Sequence, residues 1–127
     1  MKRISLRVRL KYGGKIVHQR VQIHDIFVNI GLFSRLKKDK VENYRDNDEE
    51  KPLQVIELDL TNESVVGRPI YILIDGRHRL AADYLDGKND AYCKILINTN
   101  KRCYNEMIGS FRNSDTIDRL LEKSRLL

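Results

Sequence analysis

The segment Asp75-Gly76-Arg77-His78-Arg79 combines residue types that could bind an anion. It follows an apolar run and precedes an alanine-rich stretch with helical spacing. A helix that begins directly after a strand presents backbone N–H groups and the positive end of its dipole, and both favour an anion. Glycine lets ligand oxygens approach the main chain, and arginine can bind phosphate through two parallel hydrogen bonds. The segment therefore predicts a phosphate site, with the alternative that Asp75 caps the helix and the basic side chains project into water.

The excess positive charge lies at the N-terminus. The chain of 127 residues has a net charge of +6, and residues 1–20 contain seven Lys or Arg and no acidic residue. A localised basic patch is typical of a protein that binds a polyanion. The alternative is an edge strand that uses its charges to prevent aggregation.

Two alternating patterns in this basic region predict a β-hairpin within residues 1–23. Apolar residues at 4, 6, 8 and 10 alternate with polar ones, Tyr12–Lys15 supplies turn chemistry, and a second alternation extends from Val17 to Ile23. Two-stranded ribbons bind DNA in known complexes. We therefore expect DNA to contact the outer face of the hairpin through Arg3, Arg7, Arg9, Lys11, His18 and Arg20.

The rest of the chain alternates between helical and extended patterns. The predicted elements are a helix at 37–44, strands at 55–60 and 69–74, a helix at 77–86 capped by Gly87, a strand at 91–97, and one or two helices in 101–127. The strand at 69–74 is apolar almost throughout, which is typical of a central strand covered on both faces.

Three segments carry a resemblance to a known family: KPLQVIELDL, PIYILIDGRHRLAADYLDG and AYCKILI, at 51–60, 69–87 and 91–97. They resemble the ParB/sulfiredoxin superfamily, in which a Pro-hydrophobic strand precedes a second strand that leads through a Gly- and Arg-containing loop into a helix. That loop binds the phosphates of CTP in ParB proteins and of ATP in sulfiredoxins. The likeness extends from Val21 to Ile97, about three-fifths of the chain, and the matching loop and helix residues are Gly76, His78, Arg79 and Ala82.

The resemblance implies an α+β fold in which helices pack on a small mixed sheet. It also implies a nucleotide, ATP or CTP, with Mg²⁺ as a possible accompanying ion. The segment SRLKKDKV, at 34–41, is similar to an upstream nucleotide-binding segment of the family. The implied phosphate-binding residues are Arg35, Gly76, Arg77, His78 and Arg79, and the implied catalytic residues are Asp75 and His78.

Three departures from the family narrow the function. Arg77 stands where sulfiredoxins have their nucleophilic cysteine, and a guanidinium cannot act as that nucleophile, so sulfinic-acid repair is not expected. Arg77 also replaces the glutamate of the ParB loop. Only 30 residues follow Ile97, so the helix-turn-helix domain of ParB proteins is not expected.

Three functions stay open. The first is a stand-alone ParB-like domain that binds nucleotide or DNA phosphates, with nuclease activity possible. The second is a small ATP- or ADP-dependent phosphotransferase, in which Glu57 and Asp59 on the neighbouring strand provide further carboxylates. The third is a catalytically inactive protein-binding or inhibitory module that uses the apolar C-terminal helix.

Length and composition predict one cytoplasmic domain over residues 1–127. Its expected parts are the hairpin at 1–23, a core at 24–97 with the phosphate-binding loop at 75–79, and a helical tail at 98–127. No apolar run approaches the roughly 20 residues of a membrane span. Cys93 and Cys103 are interpreted as ordinary thiols, and no metal site is predicted.

Overall fold

The computed structural model describes residues 4–31, 35–47 and 51–127. The described residues form five α-helices and one six-stranded sheet, which confirms the α+β class. In chain order the elements are α1 (Leu6–Tyr12), β1 (Lys15–Gln22), β2 (Ile26–Asn29), α2 (Lys38–Asp46), β3 (Leu53–Asp59), β4 (Pro69–Asp75), α3 (Arg77–Leu85), β5 (Asp90–Ile97), α4 (Lys101–Arg112), β6 (Ser114–Asp115) and α5 (Ile117–Lys123).

The sheet is mixed, as expected, with strand order β1-β5-β3-β4-β2-β6. The pairs β3–β5 and β2–β4 are parallel, and the other pairs are antiparallel. Successive residues of a strand point to opposite faces, so Val55 and Ile56 of β3 belong to two different cores. Helices α2, α3 and α5 cover one face, and α1 and α4 cover the other. The site described below lies at the end of the sheet where β3 begins.

Strand β4 and helix α3 form as the sequence predicts. Ile70, Ile72 and Leu73 are buried, so β4 is covered on both faces. Helix α3 begins two residues after β4 ends, and Gly87, with φ of 80°, follows its C-terminus. The predictions of α2, β3, β5 and the tail helices are also confirmed. The short strands β2 and β6 are not in the sequence prediction, because four and two residues are too few for a periodic pattern.

The predicted first strand of the N-terminal hairpin is wrong, because Leu6–Tyr12 is helix α1. Ser5 caps this helix, and its Oγ accepts a hydrogen bond from the Val8 N–H at 3.3 Å. Val8 and Tyr12 lie one helical turn apart and pack into the core, whereas Leu6 and Leu10 are 70% and 77% exposed. The segment therefore buries one face of a helix, whereas the sequence predicts that it buries one face of a strand.

This correction separates the residues that we predicted to contact DNA. Arg7, Arg9 and Lys11 belong to α1, whereas His18 and Arg20 belong to β1, whose partner is β5 rather than the N-terminal segment. Arg3 lies outside the described residues. The five described members of this set therefore do not form a two-stranded ribbon.

Among the described residues, no helix is long and apolar enough to cross a membrane.

Candidate functional site

The turn between β4 and α3 requires glycine for reasons of backbone conformation and packing. Gly76 has φ of 113°, which non-glycine residues rarely adopt, and it occupies the position directly before the first residue of α3. A Cβ atom at this position would lie 2.6 Å from Cδ2 of Leu53, the first residue of β3. The turn therefore holds the start of α3 closely against the start of β3.

His78 connects α3 to the segment that leads into α2. Its side chain is buried, and Nε2 accepts a hydrogen bond from the Lys37 N–H at 3.1 Å. Burial, together with the positive charge of Arg77, lowers the pKa of His78 to about 4. The ring is therefore neutral at pH 7, and its Nε2 lone pair is occupied by the main chain. Through these contacts His78 holds α3 against the segment that leads into α2, in addition to the catalytic role that the sequence predicts for it.

A polar cleft of about 210 Å³ lies between α2, α3 and the ends of β1 and β5. The pairing of β3 with β5 begins at Leu53 and Cys93, so the first three residues of β5 extend beyond the start of β3. Five cationic side chains, two carboxylates, two tyrosines and one amide line the cleft: Arg20, Arg45, Lys51, Arg79, Lys88, Asp83, Asp86, Tyr44, Tyr92 and Asn47. The lining therefore has more positive than negative side chains.

Ion pairs hold several of these cations in place. Arg45 Nε lies 2.7 Å from Asp86 Oδ1, and Lys88 Nζ lies 3.4 Å from Asp83 Oδ1. Arg20 Nε donates to Asp90 Oδ1 at 2.9 Å. These side chains are partly exposed, so water and salt screen the ion pairs and each contributes little to stability.

Asp83 is the more deeply buried carboxylate of the cleft. Its side chain is 17% exposed, compared with 33% for Asp86. Burial raises the pKa of Asp83, while Lys88 and Arg79 act in the opposite direction. Asp83 follows Arg79 by four residues, so both side chains lie on one face of α3. The cleft thus contains a largely buried carboxylate next to its cations.

The structure places the predicted phosphate-binding residues in different environments. Arg79 lines the cleft, whereas Gly76, Arg77 and His78 are not part of its lining. Arg35 is exposed, and it too lies outside the lining. The predicted catalytic residue Asp75 ends β4 and is likewise absent from the cleft wall.

The predicted nucleic-acid residues are also distributed over several surfaces. Arg20 lines the cleft, and the exposed His18 ring stacks on Tyr92 with the centroids 6.0 Å apart. Lys11 forms an ion pair with Glu106 at 3.1 Å on the opposite face of the sheet from α3. Arg20 is therefore the member of this predicted set that meets Arg79 in one site.

Sequence reasoning missed much of the cleft wall. Arg45 and Lys51 bound a run of mixed charges, a composition that is typical of a solvated surface and does not indicate a binding site. The alternating pattern of β5 indicates which face of the strand Tyr92 occupies, but not that this face borders a cleft. The one available signal was the spacing of Arg79 and Asp83, which puts both on the same side of α3.

The carboxylates of β3 lie away from the cleft. Glu57 is half-buried, and Tyr71 Oη lies 3.5 Å from its Oε2, while burial raises the Glu57 pKa. Asp59 accepts hydrogen bonds from the backbone and side chain of Thr61. Across 4–31, 35–47 and 51–127, no three or more His, Cys, Asp or Glu side chains are grouped so as to hold a metal ion.

Comparison with known proteins finds no matching family model, no similar curated protein and no similar solved structure.

Proposed function

We propose that this protein binds the phosphate groups of a nucleotide or a nucleic acid in the cleft between α2, α3, β1 and β5. The observation that carries the proposal is the convergence of five cationic side chains from distant parts of the chain on one cavity of about 210 Å³. Arginine and lysine side chains placed together in this way bind phosphate through charge-assisted hydrogen bonds.

The size of the cleft defines what it can enclose. Pockets that surround a whole small molecule have volumes of about 300–1,000 Å³. A volume of about 210 Å³ suits phosphate groups with the sugar and base outside. Tyr44 is 43% exposed at the rim, and aromatic side chains next to cations are typical of sites where bases stack.

The chemistry that follows binding is a separate question. Nuclease or phosphotransferase activity, as the ParB/sulfiredoxin hypothesis implies, would need a proton acceptor near the bound phosphate. Asp83 has that position, because it lines the cleft one helical turn after Arg79. We therefore propose phosphate binding, and Asp83 is the residue to substitute if turnover is found.

A titration of the purified protein with ATP, CTP and inorganic triphosphate, followed by thermal shift and calorimetry, tests the proposal. We expect each ligand to raise the melting temperature, and Arg79→Ser to weaken binding by about 10- to 100-fold through loss of a charge-assisted hydrogen bond. The matched control is Arg119→Ser, since Arg119 is an exposed residue of α5 and is not part of the cleft wall. Absence of binding to the wild type, or equal binding by both variants, would contradict the proposal.

A further inference from the structure

The antiparallel pair β1–β5 carries a second basic surface next to the cleft. His18 pairs with Lys94, and Arg20 pairs with Tyr92. Alternate residues of a strand point to the same side, and directly paired residues share a face, so these four side chains lie on one face. We call this surface the strand-pair face and define it by His18, Arg20, Tyr92 and Lys94.

Aromatic and cationic groups are interleaved on the strand-pair face. The rings of His18 and Tyr92 are nearly parallel, at 27°, and the His18 side chain is exposed. Lys94 lies beside His18 in the ladder and is partly exposed. Stacked rings flanked by cations are the combination that single-stranded nucleic acids bind, because each base offers a flat face and each nucleotide a phosphate.

The strand-pair face is continuous with the cleft. Arg20 and Tyr92 belong to both, since they line the cleft and also pair with each other across β1 and β5. His18 and Lys94 lie on the side of the sheet that α1 and α4 cover, because Ile16 and Leu96, two residues away on the same strand faces, pack into that core. A ligand whose phosphate lies beside Arg79 would therefore reach them around the end of β3, where Arg20 and Tyr92 line the cleft. A free nucleoside triphosphate carries all its phosphates on one side of the sugar, so with these in the cleft none is left to reach Lys94, whereas a polymer has a phosphodiester on each side.

Building on the proposed phosphate cleft, we propose that the ligand is a single-stranded nucleic acid, held by a phosphate in the cleft and by a neighbouring base on the His18–Tyr92 ring pair. Stacking on these rings requires an unpaired base, because the bases of a duplex are covered by their neighbours. Double-stranded DNA would offer this surface its phosphates alone.

Fluorescence anisotropy with a labelled ten-nucleotide oligothymidine, its duplex with oligoadenosine, and thymidine triphosphate tests this inference. The variant His18→Ala/Lys94→Ser alters the strand-pair face and leaves the cleft wall intact. The matched control is His24→Ala/Arg119→Ser, which removes the same kinds of side chain from exposed positions outside both surfaces. Circular dichroism checks that each variant is folded.

We expect the wild type to bind the single strand more tightly than the duplex. His18→Ala/Lys94→Ser should weaken single-strand binding by roughly tenfold or more, lower the salt slope by about 0.7, and leave triphosphate binding unchanged. The control should match the wild type, and Arg79→Ser should weaken binding of both ligands.

Two results separate the failure of this inference from the failure of the cleft. In the first, triphosphate binds, but His18→Ala/Lys94→Ser binds the oligonucleotide as the control does, or the duplex binds more tightly than the single strand. The strand-pair face is then not the nucleic-acid surface, and the proposal of phosphate binding in the cleft is retained. If the wild type binds neither ligand, both proposals are wrong.

Discussion

Helices α1 and α3 pack on opposite faces of one sheet, and they are held in different ways. Helix α3 follows β4 through a single glycine and buries His78, Leu80, Ala81 and Ala82. Helix α1 has seven residues, of which Tyr12 alone is buried, and it leaves two leucines exposed. Its start is also joined to the sheet by a hydrogen bond of 2.7 Å from the Ile4 N–H to Gln54 Oε1.

This difference shows how strongly the local sequence of each segment specifies a helix. In α3 the turn residue, the apolar spacing and the cap all favour the same structure, which is typical of a consistently encoded element. In α1 the apolar residues alternate as in a strand, so a helix can bury only half of them. The contacts of α1 with the sheet and α4 outweigh this local preference. We therefore expect substitutions in α3 to have larger effects than those in α1.

The largest effect should come from acidification, through His78. The unfolded chain binds a proton at this residue near its ordinary pKa of 6.5, and the folded protein does so only near pH 4. The contribution of His78 to the free energy of unfolding is therefore fully present above pH 6.5, and about 3 kcal/mol of it is lost as the pH decreases to 4. Denaturant unfolding of the wild type and His78→Gln across this range isolates the effect from the carboxylates. Equal pH dependence of the two proteins would show that His78 does not hold α3 to the α2 segment.

A smaller effect is expected at the turn before α3. Gly76→Ala adds a methyl group close to Leu53 at a positive φ, and we expect a loss of about 2 kcal/mol. Gly87→Ala is the control, because Gly87 also has a positive φ, of 80°, but nothing within 4 Å of the added atom. Gly87→Ala should lower the free energy of unfolding by about 1 kcal/mol. If denaturant unfolding shows equal losses of free energy for the two variants, packing against Leu53 does not position α3.

The smallest effect should distinguish the helical form of residues 6–12 from a strand. Val8→Ser removes a side chain that packs into the core and should cost about 1 kcal/mol. Leu10→Ser changes a side chain that is 77% exposed and should alter stability by less than about 0.5 kcal/mol. A strand would place both residues on the same face, so equal losses would indicate that this segment is extended in solution.

Much of the fold could be predicted because several local signals agree. Strand β4, the turn at Gly76 and helix α3 have matching apolar spacing, turn residue and cap, and α2, β3 and β5 have clear patterns of their own. Arg79 and Arg20 were both recognised as basic candidates. What could not be predicted was that these two side chains line one cleft, together with Arg45, Lys51 and Lys88.

The sequence by itself determined the α+β class, the order of its long elements and the glycine at the start of α3. The tertiary structure alone decided that residues 6–12 are helical, that β1 pairs with β5, and that the cleft is cationic. The physical reason is the separation along the sequence of the residues that determine each feature. Helix and strand periodicity depend on neighbours within a few residues, whereas sheet order and the convergence of side chains depend on which distant surfaces bury each other.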